Sequence, residues 1–187
     1  MGFGRADGAW FAIQVRPKYE TFVSNCLRNK GYEEFLPLAH SSEWLIRSSV
    51  RPTAPKPLYP GYLFCRVDIN LTGKIISTPG VIRILSFGRS PVPVDPQEMA
   101  NMRRISDSGL GVYSWPYART GDRVIVKDGP LRGMEGVLFG QRQAGRLIVS
   151  VTLLQRSAAV EMNSTWLEVV DVRANNGENR ATWSPTV

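Results

Sequence analysis

Leu58-Tyr59-Pro60-Gly61-Tyr62-Leu63-Phe64-Cys65-Arg66-Val67 reads as a strand, and its alternation divides the residues cleanly between two faces. Leu63, Cys65 and Val67 point one way, Tyr62, Phe64 and Arg66 the other. The Arg argues that the second face meets solvent. Two aromatic rings are then exposed beside it, an unusual use of large apolar area for a monomer.

Upstream, Ala9 to Arg16 also alternates, with Phe11, Ile13 and Val15 opposite Trp10, Ala12, Gln14 and Arg16, which predicts a first strand. Pro17 suits a first helical position, Tyr19, Phe22, Val23, Cys26 and Leu27 recur at helical spacing, and Gly31 supplies a stop. Tyr32 to Leu38 reads as a second strand, and Ala39 to Pro57, rich in Ser and Pro, as a long hairpin or loop. Downstream of the central strand, Asp68 to Thr78 predicts a short helix burying Leu71, Ile75 and Ile76, and Val81 to Phe87 a further strand. Asp95 caps a helix with Pro96 in its first turn, Glu98 three residues on, Val94 stapling Met99, and Met99, Met102 and Ile105 as the buried stripe. The fold class is α+β, and this order of elements is that of a ferredoxin-like sandwich of antiparallel sheet and helices.

Residues 109–118, with two Gly and one Pro, read as a linker between a unit at 9–108 and a second at 119–172. The second unit is written in short strands only: Arg123 to Lys127, Glu135 to Phe139, Arg146 to Thr152, Ala158 to Met162 and Trp166 to Val170. Five strands at that spacing predict a small five-stranded β-barrel. Residues 1–8 are expected as a disordered start and 173–187 as a frayed tail.

The chain has 187 residues, 23 Lys and Arg against 16 Asp and Glu, a net charge of +7 and a single His. The excess is +5 in residues 1–118 and +2 in the remainder, scattered without a run of five like charges, so modest affinity for polyanions is expected rather than a dedicated DNA-reading stripe. Cys26 and Cys65 lie far apart with no partner at metal-ligand spacing and read as reduced core thiols. Catalysis fails on inventory. His40 stands alone at a loop edge, the carboxylates are dispersed among Arg and Lys, and Gly129 to Gly136 lacks the Gly-Lys-Ser/Thr ending of a phosphate loop. No enzyme, metal or cofactor is expected. Apolar runs such as Trp10 to Ile13 are too short for a bilayer, and no signal-peptide pattern opens the chain, so the cytoplasm is the expected compartment.

Gly121-Asp122-Arg123-Val124-Ile125-Val126, followed by Gly129-Pro130, Gly133 and Gly136-Val137, resembles the opening of the KOW domain of NusG-type transcription factors. Trp10-Phe11, Leu58 to Phe64 and Thr78-Pro79-Gly80-Val81 resemble the NGN domain of the same family, in family order and spacing. Phe87-Gly88-Arg89-Ser90-Pro91, Phe35 to Leu38 and Leu154 to Ser157 are similar to the specialised RfaH and UpxY branches, although Gln14 and Pro79 depart from the RfaH pattern. The resemblance implies a ferredoxin-like NGN domain at 9–108 and a KOW barrel at 119–172, acting in transcription elongation, termination or antitermination.

It implies docking of the NGN domain on the β′ clamp helices of RNA polymerase through Trp10, Gln14, Tyr59, Tyr62 and Phe64. Arg16, Lys18, Lys74 and Thr78 would face upstream or non-template DNA, and the KOW barrel would recruit the ribosomal protein NusE or Rho. A monomer without membrane contact is expected. The rival reading is a KOW-type RNA-binding, ribosome-associated protein, which leaves Tyr62 and Phe64 without a role. The β-branched clusters and glycines of 119–172 also predict that this segment stays in strands and leaves the aromatic patch accessible.

Overall fold

The computed structural model describes residues 8–39, 55–68, 72–116, 122–139 and 146–171. The expected start, most of the loop between residues 39 and 57 including His40, Leu71, and the tail lie outside the described residues. Strands β1 (Ala9–Val15), β2 (Glu33–Phe35), β5 (Tyr62–Val67) and β6 (Val81–Ile84) form a four-stranded antiparallel sheet in the order β2-β5-β1-β6. Helices α1 (Glu20–Asn29) and α2 (Gly73–Ile76) cover one face. Their core joins Phe11, Ile13, Val15, Val23, Leu27, Leu63, Cys65, Val67 and Ile75, as the strand alternation requires.

Helix α3 (Pro96–Asp107) belongs to the other face. Asp95 caps it, its carboxylate accepting from the Gln97 and Glu98 amides at 2.8 and 3.0 Å, and Met99, Met102 and Ile105 are buried as their spacing predicts. Short pairs complete this half: β3 (Leu38–Ala39) with β4 (Lys56–Pro57), and β7 (Ser86–Phe87) with β8 (Ser90–Pro91).

All five strands expected in the second unit are present: β10 (Asp122–Val126), β11 (Glu135–Phe139), β12 (Arg146–Val151), β13 (Arg156–Glu161) and β14 (Leu167–Asp171). A sixth comes from the expected linker. β9 (Val112–Pro116) pairs antiparallel with β13 and gives the order β14-β10-β11-β12-β13-β9. The two Gly and the Pro suggested a flexible joint, but Val112 finds a buried place and the backbone of 112–116 finds a strand edge to pair with.

Three expectations are corrected by packing. α1 begins at Glu20, three residues after Pro17, and its buried stripe is Glu20, Val23, Ser24 and Leu27, while Tyr19 and Phe22 stand out in solvent. Glu20 can sit inside because its carboxylate accepts from the Gly61 amide at 2.8 Å, so a charged residue takes the place an aromatic was expected to fill. Ile75 is buried, but Ile76, expected beside it, is half exposed on the short α2. The aromatic face of β5 is largely covered, with Phe64 fully buried and Tyr62 half-buried. One continuous apolar cluster runs from Ala12, Tyr59 and Phe64 through Met99, Met102 and Ile105 to Val124, Leu147, Leu154 and Val160 of the C-terminal sheet.

Candidate docking face and nucleic-acid edge

Pairing of β1 with β5 sets Ala12 opposite Phe64 and Gln14 opposite Tyr62, which places Trp10, Gln14, Tyr62 and Phe64 on the same face. β2 adds Phe35 beside Phe64, and the turn before β5 brings Tyr59 edge-on to Phe64 with ring centroids 6.1 Å apart. Glu20 fixes that turn through the Gly61 amide, and Gly61 adopts φ +83°, a conformation that favours glycine. All five docking residues expected from the resemblance are thus gathered around one face. Their exposure differs from expectation. Phe64 and Tyr59 are buried at 0% and 1% exposure, and Trp10, Gln14 and Tyr62 are half-buried.

An Arg pointing to this face does not make it wet, because Arg66 is anchored near the end of β5. Its Nε donates to the Gly8 carbonyl at 2.8 Å and its guanidinium meets Glu33 at 3.4 Å. Glu33 pairs in turn with Arg103 of α3 at 2.7 Å, and that guanidinium lies 4.5 Å from the Trp10 ring centroid and 5.7 Å from that of Phe35. Partial burial pushes the Glu33 carboxyl up, but Arg103 and then Arg66 outweigh it and hold it below the usual carboxylate value. Gln14 accepts from Arg83 Nε at 2.8 Å.

The cover is supplied by the same chain. The Thr152 amide donates to Glu98 of α3 at 3.0 Å, Arg104 donates to the Arg132 carbonyl at 2.7 Å, and Arg156 lies 6.0 Å from the Tyr62 ring centroid. Leu154, in the turn between β12 and β13, joins the shared cluster. The Tyr59 hydroxyl is buried without a hydrogen-bond partner, and its ionisation is pushed strongly up, first by burial and then by Glu98.

The residues expected at the nucleic-acid edge fall at the start of α1 and around α2. Arg16 and Lys18 are exposed, Lys18 at φ +68°, and the Lys74 side chain is exposed on α2. Thr78 does not belong with them. It is 2% exposed, and its hydroxyl accepts from Lys30 Nζ at 2.7 Å while donating to the Lys74 carbonyl at 3.2 Å. Thr78 therefore ties α1 to α2 instead of facing solvent. Sequence reasoning also missed two rings at this edge. Tyr19 and Phe22 are 42% and 50% exposed and meet edge-to-face at 5.9 Å, with Tyr19 packed where Gly80 leaves no Cβ. Their helical spacing suggested core, and only the identity of the residue Glu20 displaces them from it.

Among the described residues no group of three or more His, Cys, Asp or Glu is arranged to hold a metal ion, and no helix is long and apolar enough to cross a membrane. The family model described as "Transcription termination factor nusG" matches residues 8–103. The transcription termination/antitermination protein NusG of Thermus thermophilus is 29% identical over 149 residues, covering 73% of this chain and 80% of that protein. The Pseudomonas aeruginosa protein of the same name is 25% identical over 173 residues, covering 86% of this chain and 98% of that one. A solved structure titled "Domain interaction in Thermotoga maritima NusG" superimposes with a TM-score of 0.57 at 20% identity, covering 88% and 98% of the two chains, a likeness of fold.

Proposed function

The chain belongs to the NusG family of transcription factors, and from that premise we propose that it binds RNA polymerase through the face formed by Trp10, Gln14, Tyr59, Tyr62 and Phe64. One observation carries this reading. The ringed face packs in one apolar cluster with α3 and with the chain's own C-terminal sheet, which is held to the N-terminal half by isolated polar contacts from Thr152, Arg132 and Arg156. Such a cover can be exchanged for a better partner surface, because a ligand that binds only the uncovered form shifts the population toward it. The β′ clamp helices are the surface the family resemblance names. Resting there, the N-terminal half would disfavour the paused polymerase by binding, without chemistry, and so suppress pausing or termination.

The released C-terminal sheet is then free to recruit NusE or Rho. Arg16, Lys18 and Lys74 supply positive charge toward upstream or non-template DNA, and the exposed Tyr19 and Phe22 rings beside them suit unpaired bases, which stack on aromatic side chains. A ribosomal-RNA-binding role explains the basic excess but not a masked aromatic face. The discriminating experiment is affinity for RNA polymerase of the full chain and of residues 1–108. The fragment is expected to bind more tightly, and Tyr62→Ala to weaken its binding by roughly 1 to 3 kcal/mol. Equal binding by the wild-type and Tyr62→Ala fragments removes the face from the mechanism.

A further inference from the structure

The way the C-terminal sheet is attached deepens this reading and rests on it. We propose that β9 is a strap that stays zipped to β13, so that the sheet lifts from the docking face on a leash of four residues, 108–111, instead of the fourteen that separate α3 from β10.

The ladder is the stronger attachment. Five residue pairs run from Val112 opposite Val160 to Pro116 opposite Arg156, and the Glu161 amide adds a bond to the Gly111 carbonyl at 2.9 Å. Val112 is 1% exposed, and the Tyr113 hydroxyl reaches the Glu161 carboxylate at 3.4 Å. Residues 108–111 are built as a joint. The Ser108 amide and hydroxyl both end on the Ile105 carbonyl, closing α3, and Gly109 then turns at φ +70° with open space around it. By contrast the hydrogen bonds between the C-terminal sheet and α3 among the described residues are single ones, Thr152 to Glu98 and Arg104 to Arg132. Opening at that interface leaves the β9 ladder intact, whereas unzipping β9 would cost its hydrogen bonds in addition, so the strap travels with the sheet.

Leash length sets how readily the face is covered again. Four residues reach at most about 14 Å and fourteen about 50 Å, so a zipped β9 confines the open sheet to the neighbourhood of the face it left. Effective concentration falls roughly as the three-halves power of tether length. A stretch of ten Gly and Ser residues inserted between Gly109 and Leu110 lengthens the leash from four to fourteen if β9 stays zipped, which raises the open population about 6.5-fold. If β9 unzips on opening, the same insertion lengthens the tether only from fourteen to twenty-four, and the rise is about 2.2-fold by the same scaling.

The Thr152 amide, whose hydrogen bond crosses the interface, reports opening directly through its hydrogen exchange in the full chain. The expected result is exchange about six to seven times faster at Thr152 in the insertion variant, with the amides of the β9–β13 ladder exchanging as before. A change of about 2.2-fold or less at Thr152, or ladder amides that speed up in step with it, overturns the strap. RNA polymerase takes no part in the measurement. A chain that fails to bind polymerase yet shows the sixfold change would sink the docking function and leave the strap standing.

Discussion

Replacing Phe64 by Ala separates an exposed aromatic face from a covered one. On an exposed strand face the change would cost a few tenths of a kcal/mol, the ordinary range for surface substitutions. In this structure the ring is 0% exposed and packs against Tyr59 at 6.1 Å and Phe35 at 6.2 Å. Truncating a buried Phe removes its transfer free energy and leaves a cavity, together roughly 3 to 5 kcal/mol. The β5 backbone is held in the ladder on both sides, by β1 and β2, so the site cannot collapse easily and the upper half of that range applies. With a urea dependence of about 2 kcal/mol per molar, the unfolding midpoint of the N-terminal half should fall by about 2 M. Urea titrations followed by circular dichroism, wild type beside Phe64→Ala, make the measurement. A midpoint shift below about 0.5 M would refute the burial of Phe64 between the sheet and the rest of the shared cluster.

Other expectations follow from single sites. Gly129→Ala should lower Tm by several degrees, because Gly129 sits at φ +78° and an added Cβ would lie 2.6 Å from the Trp166 ring; an unchanged Tm in calorimetry would show that this turn relaxes freely. Burial, then the Glu34 and Glu33 charges, pushes the Cys65 thiol up to about 12, so a thiol reagent at pH 8 should modify the half-buried Cys26 and spare Cys65 until the chain unfolds. Two equivalents reacting in the native protein would contradict that. The lowered Glu33 carboxyl stabilises the fold above the ordinary value of 4.5 and ceases to do so as pH falls through its lowered folded value. Glu33→Gln should therefore flatten the loss of stability below pH 4.5, and an unaltered acid limb in pH-dependent denaturation would show that the Arg66–Glu33–Arg103 cluster contributes nothing.

Sequence alone determined the pieces whose causes are local. Period-two alternation separated Leu63, Cys65 and Val67 from Tyr62 and Phe64, and the pairing with β1 bears that out residue by residue. Asp95, Pro96 and the Met99-Met102-Ile105 stripe delimited α3 because capping and helical period act within one turn. The glycines and β-branched runs of the second unit placed its five strands to within about two residues, the usual uncertainty of element ends. Family motifs carried the functional class, and the residues they single out share one face because strand register is itself a local consequence of alternation. What covers a face is not local. Alternation says which residues share a side and is silent on whether that side meets water, α3 or a sheet formed sixty residues later. The same blindness put Tyr19 and Phe22 inside and passed over Glu20, since the Gly61 amide that makes Glu20 tolerable in the core is 41 residues away. It also left β9 as a linker, because a five-residue strand is defined by the edge it pairs with, and only the folded chain brings β13 alongside.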